Sequence, residues 1–143
     1  MAIKQATPYA EPGTGVEPRR RPFSVDEYYR MADSGILTED DRVELIEGEI
    51  VQMTPIGSPH AGHVLRLTKM FTDMIGGDGL VNGQNPVRLD DYSEPQPDIA
   101  ILRARDDFYT ESHPGPGDVL LIVEVADASV RYDREVKVPL YAK

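Results

Sequence analysis

The sequence predicts an α+β domain with an α/β-type core, a β-sheet flanked by helices. Three observations carry that prediction. Ser58 to Ile75 sets Val64, Leu65, Leu67, Met70, Phe71, Met74 and Ile75 at helical intervals. Two short runs rich in aliphatic and β-branched residues, Asp98 to Leu102 and Val119 to Val125, are bounded by proline and glycine and read as strands. The chain has 143 residues, 40% hydrophobic and 28% charged, which suits one domain around one core.

Taken in order, residues 1–22 contain Pro8, Pro12, Pro18 and Pro22 with Gly13 and Gly15 and show no apolar periodicity. They read as a disordered N-terminal tail, with the domain itself spanning residues 23–143. Arg19, Arg20 and Arg21 form a basic cluster read as a solvated flank. Ser24-Val25-Asp26-Glu27 fits a capping box, and Phe23 with Tyr28 suits a hydrophobic staple, so a helix starts here and stops near Gly35. Val43 to Ile46 and Glu49 to Met53 read as strands around a Glu47-Gly48 turn. The long helix Ser58 to Ile75 has Ser58 as its expected N-cap, Pro59 at its first helical position and Gly76-Gly77 at its end.

Three strand candidates follow: Leu80 to Leu89, interrupted by Gly83 and Pro86, then Asp98 to Leu102, then Val119 to Val125. The run Val119-Leu120-Leu121-Ile122-Val123-Glu124-Val125 is expected to be a strand buried on both faces. A last helix should begin near Val130 and include Lys137 and Tyr141. Pro139 inside it forfeits a backbone bond and should kink it.

Composition narrows the function classes. There are no cysteines, which removes disulfides, thiolate catalysis and cysteine-ligated zinc. No apolar stretch reaches membrane-spanning length and the N-terminus lacks a signal-peptide core, so a cytoplasmic protein with no membrane partner is expected. The net charge is −10, and because residues 1–22 carry four basic and two acidic side chains the rest is more acidic than that total. An acidic body repels nucleic acid at long range, although a divalent cation among clustered carboxylates inverts the field locally.

Two acids stand out: Glu124 inside the otherwise apolar run Val119 to Val125, and Asp98 in a similar setting in Pro97-Asp98-Ile99-Ala100-Ile101-Leu102. A carboxylate there is costly to desolvate unless something pairs with it or coordinates it. A metal site is one reading. The other is that both acids face solvent at strand ends or meet Lys and Arg partners.

The residues Glu44-Leu45-Ile46-Glu47-Gly48, His60, Pro97-Asp98-Ile99-Ala100, Glu124-Val125, Asp133, Lys137 and Tyr141 together resemble the Uma2 family of restriction-endonuclease-like proteins, in the PD-(D/E)XK nuclease superfamily. The resemblance covers about residues 23–143. It implies a restriction-endonuclease-like mixed β-sheet flanked by helices, with its C-terminal strand missing because the chain stops at Lys143. It matches Asp98 to the first acid of the motif and Glu124 to the second. The usual lysine position, two after Glu124, holds Ala126, and the matching lysine is Lys137 on the following helix.

The implied activity is Mg²⁺- or Mn²⁺-dependent hydrolysis of DNA phosphodiester bonds. Asp98, Glu124, Lys137 would be catalytic. Metal ligands would be Asp98, Glu124, the backbone carbonyl of Val125 and, as an outer ligand, Glu44. His60 is a phosphate contact in this reading, and His63 an ordinary surface or core histidine. Lys137 also stands in the favourable i,i+4 order after Asp133, a pair that needs no catalytic role. The rival from another class is a non-catalytic nuclease-like binding module. The absent last strand leaves an edge that a second copy in a homo-oligomer would complete.

Overall fold

The computed structural model describes residues 19–126 and 130–143. The expected tail lies outside the described residues over 1–18. Arg20 pairs with Glu49 at 3.0 Å, and Arg21 pairs with Glu27 while lying over the Phe23 ring.

Helix α1 (Val25–Asp33) starts at Ser24, whose hydroxyl accepts from the Glu27 amide while the Glu27 carboxylate accepts from the Ser24 amide. It ends at Ser34, and Gly35 takes a positive φ of 77°. Strands β1 (Val43–Ile46) and β2 (Glu49–Gln52) form an antiparallel hairpin. Its two-residue turn has φ of 49° at Glu47 and 80° at Gly48, the left-handed pair that matches strand twist. A Cβ on Gly48 would lie 2.3 Å from Pro22 Cβ, so the glycine also allows the N-terminal strand of chain to cross here.

Helix α2 (Ser58–Ile75) has the expected span, but its N-cap is Gly57, which offers no side-chain oxygen. Ser58 falls inside the helix because the chain before it is already extended at Gly57. The helix leads through Gly76 into β3 (Gly79–Gly83), β4 (Ile99–Arg103) and β5 (Val119–Val123). These three pair antiparallel in the order β3-β4-β5. Both described sheets are antiparallel, and no strand follows β5 among the described residues.

Two strand expectations need correction. The first strand ends at Gly83, and Gln84 turns away with a φ of 54°; Pro86, lacking an N–H, lies in the loop that follows. β5 is not buried on both faces. Among the described residues it is an edge strand with one neighbour, and Leu120 and Leu121 are 50% and 44% exposed. Central β4 is the buried strand, from Ile99 to Leu102, and Ala100 and Leu102 pack with Val87 in the core.

The C-terminal helix runs as α3 (Val130–Tyr132), a π-helical turn (Asp133–Lys137) and α4 (Val138–Tyr141). Pro139 has no N–H to give Glu135, and the turn before it is widened, with the Val138 N–H donating five residues back to Asp133. The expected disturbance at Pro139 is therefore a π turn.

Candidate active site

Because β4 and β5 run antiparallel with Ile99 opposite Val123, the residue before β4 and the residue after β5 meet at one sheet end. Those residues are Asp98 and Glu124. The Asp98 amide donates to Glu124 Oε2 at 3.2 Å, and the Val125 amide donates to Asp98 Oδ2 at 2.8 Å. His60, in the first turn of α2, lies with Nε2 2.9 Å from Asp98 Oδ1. His63 is exposed on the outer face.

Glu44 arrives from the hairpin. Its strand is fixed from both sides: the Glu94 amide donates to Leu45 O, and Tyr28 of α1 donates its hydroxyl to Val43 O. Gln96 lies between Pro95 and Pro97, and a following proline disfavours the helical conformation at the residue before it. From there the Gln96 amide donates to Glu44 Oε2 at 2.9 Å and its side chain donates to Val43 O at 3.3 Å. One short segment thus sets Glu44 and Asp98 in the same frame.

Lys137 closes the cluster from the π turn. Its ammonium is 3.2 Å from Glu44 Oε1 and 3.2 Å from Glu124 Oε1, and Tyr141 donates its hydroxyl to the same Glu124 oxygen at 2.7 Å. Burial pushes the lysine's pKa down, but Glu44 and Glu124 outweigh it and the net direction is up. It is a cation at neutral pH. Burial raises the Glu124 carboxyl, opposed by Lys137 and the Tyr141 hydrogen bond. The Tyr141 phenol is driven far upward by burial and then by Glu124, so it stays a donor.

These groups face a cavity of about 330 Å³ whose lining includes Arg42, Gln84, Gln96 and Tyr132. The Tyr132 hydroxyl is buried without a hydrogen-bond partner among the described residues. Sequence reasoning missed all four. Only Gln96 carried a readable signal, its position between two prolines.

The geometry gathers Asp98, Glu124, Lys137, Glu44 and His60 around one cavity, while Val125 contributes its amide to Asp98 from outside the lining. The model matching residues 25–143 is Uma2, described as "Putative restriction endonuclease". The chain belongs to the Uma2 family. No curated protein matches it.

Asp98 and Glu124 offer hard carboxylate oxygens to one cavity, as Mg²⁺ and Mn²⁺ require. Glu124 Oε1 already accepts from both Lys137 and Tyr141, whereas Glu124 Oε2 and the two Asp98 oxygens each have one hydrogen-bond partner and keep a second lone pair for a cation. An orphaned hydroxyl on the same cavity wall, that of Tyr132, also suits a polar occupant. Two carboxylates with waters fit the cation. Glu44 contacts the Lys137 ammonium and the Gln96 amide, and among the described residues no group of three or more His, Asp or Glu side chains is disposed to hold a metal ion. Among the described residues no helix is long and apolar enough to cross a membrane.

Proposed function

We propose that this Uma2 protein is a metal-dependent endonuclease that hydrolyses DNA phosphodiester bonds. The observation that carries the reading is the convergence of Asp98, Glu124 and the doubly paired Lys137 on one recessed cavity. Asp98 and Glu124 would hold Mg²⁺ or Mn²⁺, which supplies a more acidic water and neutralises charge on the phosphate.

The remaining roles follow from the chain's own residues. His60 and the Val125 amide fix the Asp98 carboxylate in one orientation. Tyr141 and Lys137 do the same for Glu124. Lys137 has three donors, of which two are directed at Glu44 and Glu124, leaving one for a phosphate oxygen or the attacking water. Its raised pKa makes it a donor and a charge stabiliser, and argues against a role as general base. The His60 ring, at the cavity wall, is available to a phosphate oxygen once Asp98 is otherwise engaged. Hydrolysis forms one P–O bond to the water oxygen and breaks one to the strand, the leaving oxygen taking a proton from solvent.

The test is cleavage of mixed DNA substrates with Mg²⁺, Mn²⁺ or chelator, for the wild-type chain and for Asp98→Asn and Lys137→Ala. Cleavage that needs metal and is lost with Asp98→Asn supports the reading. Lys137→Ala should cost ~10²–10³ in rate while metal binding persists. Unaltered cleavage by either variant refutes the assignment. A second reading, a non-catalytic nuclease-like module, is favoured by one observation: every carboxylate oxygen of Asp98 and Glu124 is already hydrogen-bonded by protein. DNA binding without cleavage under any metal would decide for it.

A further inference from the structure

The reacting groups lie deep. Side-chain exposure is 4% for Glu44, 8% for Lys137, 13% for Glu124 and 15% for Asp98. A phosphate must enter the cavity to reach them, and about 330 Å³ is at the small end of ligand-site volumes. Duplex DNA is stiff over roughly 50 nm and cannot fold one phosphate into a recess without paying for a kink. A single strand bends freely.

Charge points the same way. The cavity lining holds Glu44, Asp98, Glu124 and Asp133, while the Lys137 ammonium among them is already shared by two glutamates. A duplex brings one negative charge per ~1.7 Å to a chain of net charge −10, and a single strand one per ~3.4 Å. Arg42, exposed at the cavity mouth, has no ion-pair partner among the described residues. Gln84 lines the cavity from a left-handed backbone position, and its side-chain amide makes no hydrogen bond among the described residues.

We infer that the substrate is single-stranded DNA, or a strand splayed from a duplex, with Arg42 holding a phosphate at the cavity mouth and Gln84 contacting the nucleotide inside. The inference rests on the endonuclease reading. Arg42 acts as a positioning residue, since it neutralises the strand outside the cluster that carries the chemistry.

The experiment compares one labelled oligonucleotide as a free strand, as a full duplex and as the unpaired arm of a forked duplex, with Mn²⁺. The free strand and forked arm should be cut at least ~10-fold faster than the duplex. Arg42→Gln should raise KM on the free strand ~10-fold with kcat within about twofold, the loss expected of one charged hydrogen bond, and Arg42→Lys should recover part of it. Duplex cut as fast as, or faster than, the free strand overturns the inference while leaving the endonuclease reading intact. If nothing is cut, the endonuclease reading fails, and fluorescence anisotropy with Asp98→Asn still decides the present one. Tighter binding of the free strand, weakened by Arg42→Gln, supports it; equal or tighter duplex binding overturns it.

Discussion

Replacing Lys137 by methionine isolates the charge at the centre of the cluster, because methionine keeps much of the apolar stem. In the wild-type chain the ammonium is 3.2 Å from a carboxylate oxygen of Glu44 and 3.2 Å from one of Glu124, with the three side chains 8%, 4% and 13% exposed. Solvent therefore screens these contacts little, and the surface-pair value does not apply. Removing one partner of a buried ion pair typically costs ~3–5 kcal/mol, since the charge left behind keeps its desolvation penalty. At roughly 3–6 °C per kcal/mol for a domain of this size, the melting temperature should fall by ~10–30 °C. Thermal and urea unfolding followed by circular dichroism, at neutral pH in chelator, measures this directly. Lys137→Met with Glu44→Gln removes one of the two stranded charges and should be more stable than Lys137→Met alone, by ~1–3 kcal/mol. A loss below ~0.5 kcal/mol for Lys137→Met would refute the reasoning, because that is the worth of an exposed i,i+4 pair.

Three further outcomes are expected. Mn²⁺ or Mg²⁺ should raise the wild-type melting temperature, by ~2.7 kcal/mol of stabilisation at a hundred times the dissociation constant, and Asp98→Asn should abolish the rise; an unchanged response would place the ion elsewhere. Gly48→Ala, at a φ of 80° with Pro22 Cβ 2.3 Å from the added methyl, should destabilise the chain by ~1–3 kcal/mol or more in denaturant unfolding, and a neutral result would mean the hairpin turn is not built as described. The Arg105 hydrogen bond is the main reason the Asp107 carboxyl is held at about 2, below its ordinary 3.8, so this pair stabilises the fold above pH 3.8 and the contribution is lost as pH falls through about 2. Arg105→Ala should return the Asp107 midpoint in an NMR titration toward 3.8; a midpoint still near 2 would show that the backbone amides, not Arg105, hold it down.

What could be read in the sequence was whatever local chemistry decides. The capping box at Ser24, the Glu47-Gly48 turn and the span of α2 depend on neighbouring residues alone, and each stands where the pattern puts it. The antiparallel pairing that sets the start of β4 beside the end of β5 shows only in the structure, but that Asp98 and Glu124 share a site was legible, through the resemblance that matches them to the two acids of one motif. The burial of Val119 to Val123 was not. An aliphatic run states that a strand is apolar, not how many neighbours cover it, and here β4 took the central place. The partners of Lys137 were hidden for a related reason. Asp133 at i−4 is the near candidate in a regular helix, whereas Glu44 comes from a hairpin 93 residues earlier by sequence number. Arg42, Gln84 and Tyr132 left no pattern at all, since what distinguishes them is facing a cavity that only tertiary packing creates.

The π turn before Pro139 has a bearing on how such a lysine can be inherited. A regular helix advances about 100° per residue, so one residue more or less in the turn swings every later side chain by over a quarter of a revolution. Lys137 is the last residue of the widened turn, which makes its aim at Glu44 and Glu124 a property of backbone phase. Pro139 touches neither glutamate in the contacts described above, yet it stands two residues on, where a regular helix would need the N–H it lacks. A single-residue insertion or deletion between Val130 and Lys137 would keep every residue of the cluster in the sequence and still disarm it. Relatives are thus better compared by the phase of this helix than by whether a lysine can be found on it.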